Sequence, residues 1–128
     1  MYTRPARSGS NEPMPLLKIT TSIDPAPSHD KLIAALSKLV AERLGKPESY
    51  VMTALDYLQS MTFGGSSAPC CYVELKNVGR FRPELTQRLT EEVCERLSSG
   101  FGMAADRIYI EFVDAEGFCW GHDGATFR

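Results

Sequence analysis

Apolar positions in the first half of the chain follow a strand pattern, then a helix pattern, then a strand pattern again. The stretch 16–23 predicts a strand, which Pro25 and Pro27 end. Ser28 is a good N-cap for a helix with Asp30 in its first turn. The apolar residues of that helix recur at helical spacing: Leu32, Ile33, Leu36, Leu39, Val40 and Leu44. Gly45 predicts its end, and residues 51–58 predict a second strand.

The second half of the chain repeats this order. Residues 70–78 alternate as a strand, and Pro83 suits the first position of a helix. Gly100 and Gly102 predict the end of that helix, and residues 107–113 predict a fourth strand. Leu32 and Leu89 lie 57 residues apart, as do Val51 and Ile108. The sequence therefore predicts one βαβ unit used twice.

Two βαβ units predict an α/β domain with a four-stranded mixed sheet and both helices on one face. Eight apolar strand residues are more than two helices are expected to cover: Leu17, Ile19, Val51, Val73, Leu75, Ile108, Ile110 and Phe112. We therefore predict that the other sheet face is also apolar and is buried against further subunits.

Length and composition indicate one soluble domain of 128 residues, with 43% hydrophobic and 23% charged residues. A net charge of −2 gives no basic excess for nucleic acid or an anionic membrane surface. The sequence has no apolar run long enough to span a bilayer. Residues 1–13 are polar and hold no secretory block, so they are expected to be disordered or a mis-assigned start, and residues 14–128 form the domain. The expected location is cytoplasmic.

The four cysteines are Cys70, Cys71, Cys94 and Cys119. Cys70 and Cys71 are adjacent, which does not give the two-residue spacing of a redox motif. Neither of the two histidines has a ligand-like spacing from a cysteine pair. We expect reduced cysteines and no metal.

Five groups of residues, in chain order, carry a resemblance to a known family. They are Met14-Pro15-Leu16, Gly45-Lys46-Pro47 with Tyr50-Val51, Phe63-Gly64-Gly65-Ser66-Ser67 with Pro69-Cys70, Asp106-Arg107-Ile108-Tyr109-Ile110, and Trp120-Gly121 with Thr126-Phe127. Together they resemble the macrophage migration inhibitory factor and D-dopachrome tautomerase family of the tautomerase superfamily. The resemblance covers residues 14–128.

The resemblance implies a homotrimer whose sheets form a central barrel, with active sites at the subunit interfaces. It implies phenylpyruvate and dopachrome tautomerase activity on a keto or enol substrate without a cofactor. For eukaryotic members it also implies a cytokine role, a receptor, and export without a signal peptide.

The same resemblance assigns roles to residues of this chain. Pro15 is the general base, and Lys46 is a cation that lowers the basicity of the proline and holds the substrate carboxylate. Val78 contacts substrate through its backbone, and Tyr109 comes from a neighbouring subunit. Glu111 stands where many animal members have Asn, so its carboxylate could pair with Lys46 and change substrate preference. The remaining roles are apolar walls of the site: Tyr50, Phe118 and Trp120.

Taken without the resemblance, these residues have plainer interpretations. Pro15 could simply start an edge strand, Lys46 could pair with the last helix carbonyls, and the aromatic residues could be core. A proline inside a chain is a tertiary amide without a basic nitrogen. Catalysis by Pro15 therefore needs either translation from Met14 followed by removal of that methionine, or cleavage after Met14.

Three other functions remain as hypotheses. The first is a signalling protein with a vestigial tautomerase site. The second is a thiol oxidoreductase that uses Cys70 and Cys71. The third is a phosphate-binding loop at residues 64–67, although that loop lacks the Gly-Lys-Ser/Thr ending of nucleotide loops.

Overall fold

The computed structural model describes residues 15–127, so the prediction for residues 1–13 lies outside the described part of the chain. The elements, in order, are β1 (Leu16–Thr21), α1 (His29–Leu44), β2 (Met52–Tyr57), β3 (Cys71–Val78), α2 (Pro83–Phe101), β4 (Ile108–Ala115), β5 (Gly121–His122) and β6 (Ala125–Thr126). The last two pair as a short antiparallel hairpin that the sequence analysis missed.

The main sheet has the strand order β2-β1-β3-β4. β1 runs parallel to β2, β3 runs parallel to β4, and β1 and β3 are antiparallel at the centre. Each parallel pair is joined through a helix, as a βαβ crossover requires. The predicted mixed four-stranded sheet of two βαβ repeats is confirmed.

Both helices end at a glycine in the left-handed conformation. Gly45 has φ 67° and its N–H reaches the carbonyls of Ala41 and Glu42, while Gly102 has φ 70° and its N–H reaches Ser98. Glycine adopts the left-handed conformation at little energetic cost because it has no Cβ. Both predicted helix ends are therefore confirmed at these residues.

Two local predictions are wrong. Ser28 does occupy the N-cap position of α1, but it has helical backbone angles and makes no side-chain capping bond, so the predicted capping interaction is absent. Instead, the Ala26 N–H donates to Nδ1 of His29 at 2.9 Å. Gly100 does not end α2 but lies inside it, where a Cβ would come within 2.6 Å of the Leu32 side chain. Because Gly100 has no side chain, α2 can approach α1 closely at Leu32.

The prediction of a second apolar sheet face is also wrong. All eight apolar strand residues named for it pack in one core with the helices: Leu17, Ile19, Val51, Val73, Leu75, Ile108, Ile110 and Phe112. Strand side chains alternate between faces, and the apolar residues occupy the positions that face α1 and α2. The residue pattern therefore gives no argument for oligomerisation through this face.

The uncovered sheet face is largely polar. Lys18 forms an ion pair with Asp56 at 3.4 Å, and Lys76 forms one with Glu74 at 3.7 Å. The most exposed apolar side chains on this face are Met52 and Tyr109, which are 65% and 64% exposed. No helix within residues 15–127 is long and apolar enough to cross a membrane.

Candidate active site

Six of the predicted site residues lie at one end of the sheet. The parallel and antiparallel pairings place the starts of β1 and β2 beside the ends of β3 and β4. Pro15 precedes β1, Lys46 and Tyr50 precede β2, and Val78 ends β3. The remaining two, Phe118 and Trp120, follow β4. The fold thus gathers residues from four separate segments of the sequence.

Pro15 is fully buried at the start of β1. Its carbonyl accepts a hydrogen bond from the Met52 N–H at 2.9 Å, which ties it to the start of β2. Leu16 pairs with Lys76 across the antiparallel ladder, so one further step along both strands places Pro15 opposite Asn77. The proline is therefore fixed by its two neighbouring strands.

Lys46 follows the glycine that ends α1. Its backbone N–H donates to the Ala41 carbonyl at 3.0 Å, and its side chain is partly buried. Among residues 15–127 it has no ion-pair partner. Tyr50 closes the short 3₁₀ turn Glu48–Tyr50 and is 36% exposed. Lys46 is thus available to bind an anion.

The C-terminal segment covers the end of β3. Val78 is buried and packs against Phe127, with the partly buried Trp120 beside them. The Phe127 N–H donates to the Trp120 carbonyl at 3.0 Å, while Phe118 is 68% exposed. A cavity of about 900 Å³ opens next to Val78, and its lining includes two cations and two acids: Arg80, Arg82, Asp114 and Glu116. Of the predicted site residues, only Val78 lines this cavity.

Tyr109 and Glu111 lie elsewhere, near the start of β4. Tyr109 pairs with Tyr72 in the parallel β3–β4 ladder. Tyr72 is five residues along β3 from Asn77, and a strand rises about 3.3 Å per residue, so Tyr109 is roughly 16 Å along the sheet from Pro15. A single chain does not bring Tyr109 to Pro15.

Glu111 is engaged within its own chain. Its carboxylate accepts a hydrogen bond from the Tyr72 hydroxyl. This bond to an anion raises the pKa of Tyr72 to about 12. The suggested pairing of Glu111 with Lys46 is absent within residues 15–127, because the two lie on different parts of the sheet.

Two residues with notable environments were given no role in the sequence analysis. Asn77 is 5% exposed, and its Oδ1 has no hydrogen-bond partner among the described residues. Arg107 belongs to one of the motifs of the resemblance, and its guanidinium contacts four backbone carbonyls. Single-sequence periodicity gives no signal for either environment, since both depend on residues distant in the chain.

The thiol hypothesis finds no support in the environment of the cysteines. Cys70 and Cys71 are both buried. Burial raises the pKa of the Cys71 thiol to about 11, which leaves little reactive thiolate at neutral pH. Within residues 15–127 no group of three His, Cys, Asp or Glu residues is arranged to hold a metal ion.

The phosphate-loop hypothesis is weakened by the hydrogen bonds of residues 63–68. Gly64 and Gly65 both have positive φ and form a tight turn closed by mutual hydrogen bonds between Phe63 and Ser66. The Ala68 N–H is taken by Oγ of Ser66. A phosphate loop instead directs its N–H groups toward the ligand.

The fold and its proline-led first strand define a member of the tautomerase superfamily. The solved structure of a macrophage migration inhibitory factor homologue from Prochlorococcus marinus matches with a TM-score of 0.83 and 42% sequence identity, over 88% of this chain and 99% of that chain. The protein from Trichinella spiralis matches with a TM-score of 0.80 and 28% identity, over 88% of this chain and 99% of that chain.

Residues 14–128 match the family described as Macrophage migration inhibitory factor (MIF). The chain belongs to this family. A macrophage migration inhibitory factor homolog from Brugia malayi is 36% identical over 114 residues, covering 89% of this chain and 99% of that protein. The homolog from Trichuris trichiura is 34% identical, covering 89% of this chain and 100% of that protein.

Proposed function

We propose that this protein is a keto–enol tautomerase of the phenylpyruvate tautomerase and dopachrome isomerase type, with the amine of Pro15 as its general base. The observation that carries the proposal is the placement of Pro15, Lys46, Tyr50, Val78, Phe118 and Trp120 at one end of the sheet. A base, a cation and apolar walls together suit proton transfer on an α-keto acid.

The proposed reaction moves one proton from carbon to oxygen. Pro15 takes a proton from the carbon next to the substrate carbonyl, and the C–H electron pair forms the carbon–carbon double bond of an enolate. The protonated Pro15 amine then gives a proton to the enolate oxygen, which completes the enol and restores the free amine. Lys46 holds the substrate carboxylate, and the apolar walls favour the uncharged form of the amine. The net change is an isomerisation, which needs no cofactor.

The active form in this proposal begins at Pro15. In a chain that continues back through Met14, the nitrogen of Pro15 is a tertiary amide without a lone pair available for a proton. Removal of the residues before Pro15 converts it to a secondary amine at the start of β1. The buried ring and the hydrogen bond to Met52 then hold that amine in place.

The active assembly in this proposal is a homotrimer. Along the sheet, Tyr109 lies roughly 16 Å and Glu111 roughly 10 Å from Pro15, since both are in the first half of β4. They join the site if a neighbouring copy presents the start of its β4 to the Pro15 end of this copy. Glu111 then brings a negative charge to a site for carboxylates, so we expect weaker binding of keto acids than in a chain with Asn there.

The test uses a chain that begins at Pro15 and phenylpyruvate as the substrate. Pro15→Gly keeps an N-terminal amine but removes the rigid ring that positions it. A positioned base contributes a factor of about 10²–10⁴ to the rate, so kcat should decrease by a factor in that range. Lys46→Ala should raise KM, because the substrate carboxylate loses its cation. Lys38→Ala, at an exposed position in α1, is the matched control. Unchanged activity in Pro15→Gly would contradict the proposed base.

A second candidate is a secreted signalling protein with a vestigial tautomerase site. It is favoured by the names of the relatives, which describe inhibition of macrophage migration. In that case the protein leaves the cytoplasm without a signal peptide and binds a receptor. A cell-migration assay of Pro15→Gly separates the two: an equal effect of parent and variant supports signalling that is independent of the amine.

A further inference from the structure

Arg107 holds the loop that follows Met61 against the start of β4. Its guanidinium donates to the carbonyls of Phe63 at 2.8 Å, Ser66 at 3.1 Å and Ala68 at 2.9 Å. Its Nε donates to the carbonyl of Pro69 at 3.3 Å. One side chain thus fixes four carbonyls of a single loop.

The same loop presents an aromatic ring to Tyr109. The Arg107 guanidinium lies 5.1 Å from the centre of the Phe63 ring, a cation–π distance. The Phe63 ring lies 4.5 Å from the Tyr109 ring, with an angle of 35° between the planes. Tyr109 is 64% exposed, and Phe63 is its one aromatic-ring contact among residues 15–127, so this contact restrains the orientation of Tyr109.

A cavity of about 390 Å³ adjoins this cluster, and Phe63, Tyr72 and Tyr109 are among its lining residues. Phe63 therefore has open space beside it. If the loop were released, the ring could shift within this space and change its contact with Tyr109. The position of Tyr109 then depends on the hydrogen bonds that Arg107 makes to the loop.

We propose that Arg107 is a positioning residue for substrate binding, which acts through Phe63 to orient Tyr109 toward the site of a neighbouring copy. This inference rests on the proposed function, in which Tyr109 contacts the substrate. Lysine cannot replace arginine here, because its single ammonium group cannot reach a set of carbonyls spread along a loop as the planar guanidinium does.

The experiment is a double-mutant cycle in the chain that begins at Pro15. Arg107→Lys should raise KM for phenylpyruvate about tenfold with little change in kcat, the sign of lost substrate binding. In a Tyr109→Ala background the same substitution should change KM by less than about twofold, because Tyr109 is the route of its effect. Arg96→Lys, at an exposed position in α2 with no ion pair among residues 15–127, should change neither.

Equal effects of Arg107→Lys in both backgrounds would contradict the inference. Loss of the oligomer in Arg107→Lys, measured by native mass spectrometry, would also contradict it, since the defect would then be one of assembly. An inactive parent chain would contradict the proposed function and the substrate-binding part of this inference.

The positioning part has its own readout, which does not depend on activity. In protein labelled with fluorotyrosine, the ¹⁹F resonance of Tyr109, assigned by its loss in Tyr109→Phe, should shift in Arg107→Lys and not in Arg96→Lys. An unshifted resonance in Arg107→Lys would overturn the proposed link to Tyr109.

Discussion

At the scale of single residues, two buried polar side chains on the helix side of the sheet have opposite environments. The Thr21 hydroxyl donates to the Cys70 carbonyl at 3.2 Å and accepts from the Ile23 N–H at 3.1 Å. Oδ1 of Asn77 has no partner among the described residues. A buried acceptor without a partner costs about 1–3 kcal/mol, whereas a satisfied one stabilises the fold.

Asn77→Leu should therefore raise the free energy of unfolding by about 1 kcal/mol, because it replaces an unpaired acceptor with an apolar group of similar size. Thr21→Val, the matched control, should lower it by about 1–2 kcal/mol, since it leaves the Ile23 N–H unpaired. Urea unfolding at one fixed protein concentration measures both. A clear loss of stability in Asn77→Leu would show that Oδ1 has a partner in the folded assembly.

The role of a single residue could be predicted from the sequence where that role depends only on backbone conformation. Gly45 and Gly102 end their helices because both adopt positive φ. The interpretation failed for Ser28 and Gly100, whose roles depend on neighbours: the imidazole of His29 and the side chain of Leu32. The environments of Asn77 and Arg107 could not be predicted for the same reason.

At the scale of elements, the order of strands and helices could be predicted because apolar residues repeat at one spacing in a helix and at another in a strand. The alternation of apolar and polar residues along a strand also indicates which sheet face each residue occupies, whereas the number of apolar residues does not. In β1, Leu17 and Ile19 face the helices while Lys18 faces away. Counting only alternate positions would have predicted the polar sheet face that the structure has.

The two helices are joined by an ion pair between partly buried side chains. Arg43 donates through Nε and a terminal nitrogen to both carboxylate oxygens of Glu92, at 2.7 and 2.6 Å. This hydrogen bonding holds the pKa of Glu92 below its ordinary value. A carboxyl whose pKa is lowered by folding stabilises the fold above its unfolded pKa, and this stabilisation is lost as pH falls through the folded pKa.

Glu92→Gln should therefore lower the midpoint of thermal unfolding by a few degrees at pH 7, because the bidentate pair is lost. The difference from the parent chain should shrink as the pH falls below the ordinary range of a glutamate pKa. Glu95→Gln, at an exposed position in the same helix, is the control and should show neither effect. A difference that stays constant down to acid pH would contradict a role for the charge.

At the scale of the whole molecule, the proposed function requires a site that is shared between copies of the chain. The fold explains why: the starts of β1 and β2 meet the ends of β3 and β4, and Tyr109 lies at the far end of β4 from them. Which residues share an end of the sheet follows from the strand order and directions, so that much could be predicted from two βαβ repeats. The arrangement of the copies could not be predicted from the sequence, since the uncovered sheet face has no apolar pattern that would indicate a contact between copies.

A mixed assembly tests this sharing. Chains that carry Pro15→Gly and chains that carry Tyr109→Ala should each have low activity alone. When the two are co-expressed in equal amounts, about a quarter of the sites in a cyclic assembly should combine an intact Pro15 with an intact Tyr109. The activity of the mixture should therefore rise to about a quarter of the activity of the parent protein. Activity equal to the average of the two separate variants would place Pro15 and Tyr109 of one chain in the same site.

The central claim is that the amine of Pro15 is the base. It is tested most directly by the phenylpyruvate tautomerase activity of two preparations, one that begins at Pro15 and one that retains residues 1–14. The proposal predicts activity in the first preparation only, because a tertiary amide cannot accept the proton. Equal activity in the two would contradict catalysis by Pro15, and no activity in either would contradict the enzyme and favour the signalling role.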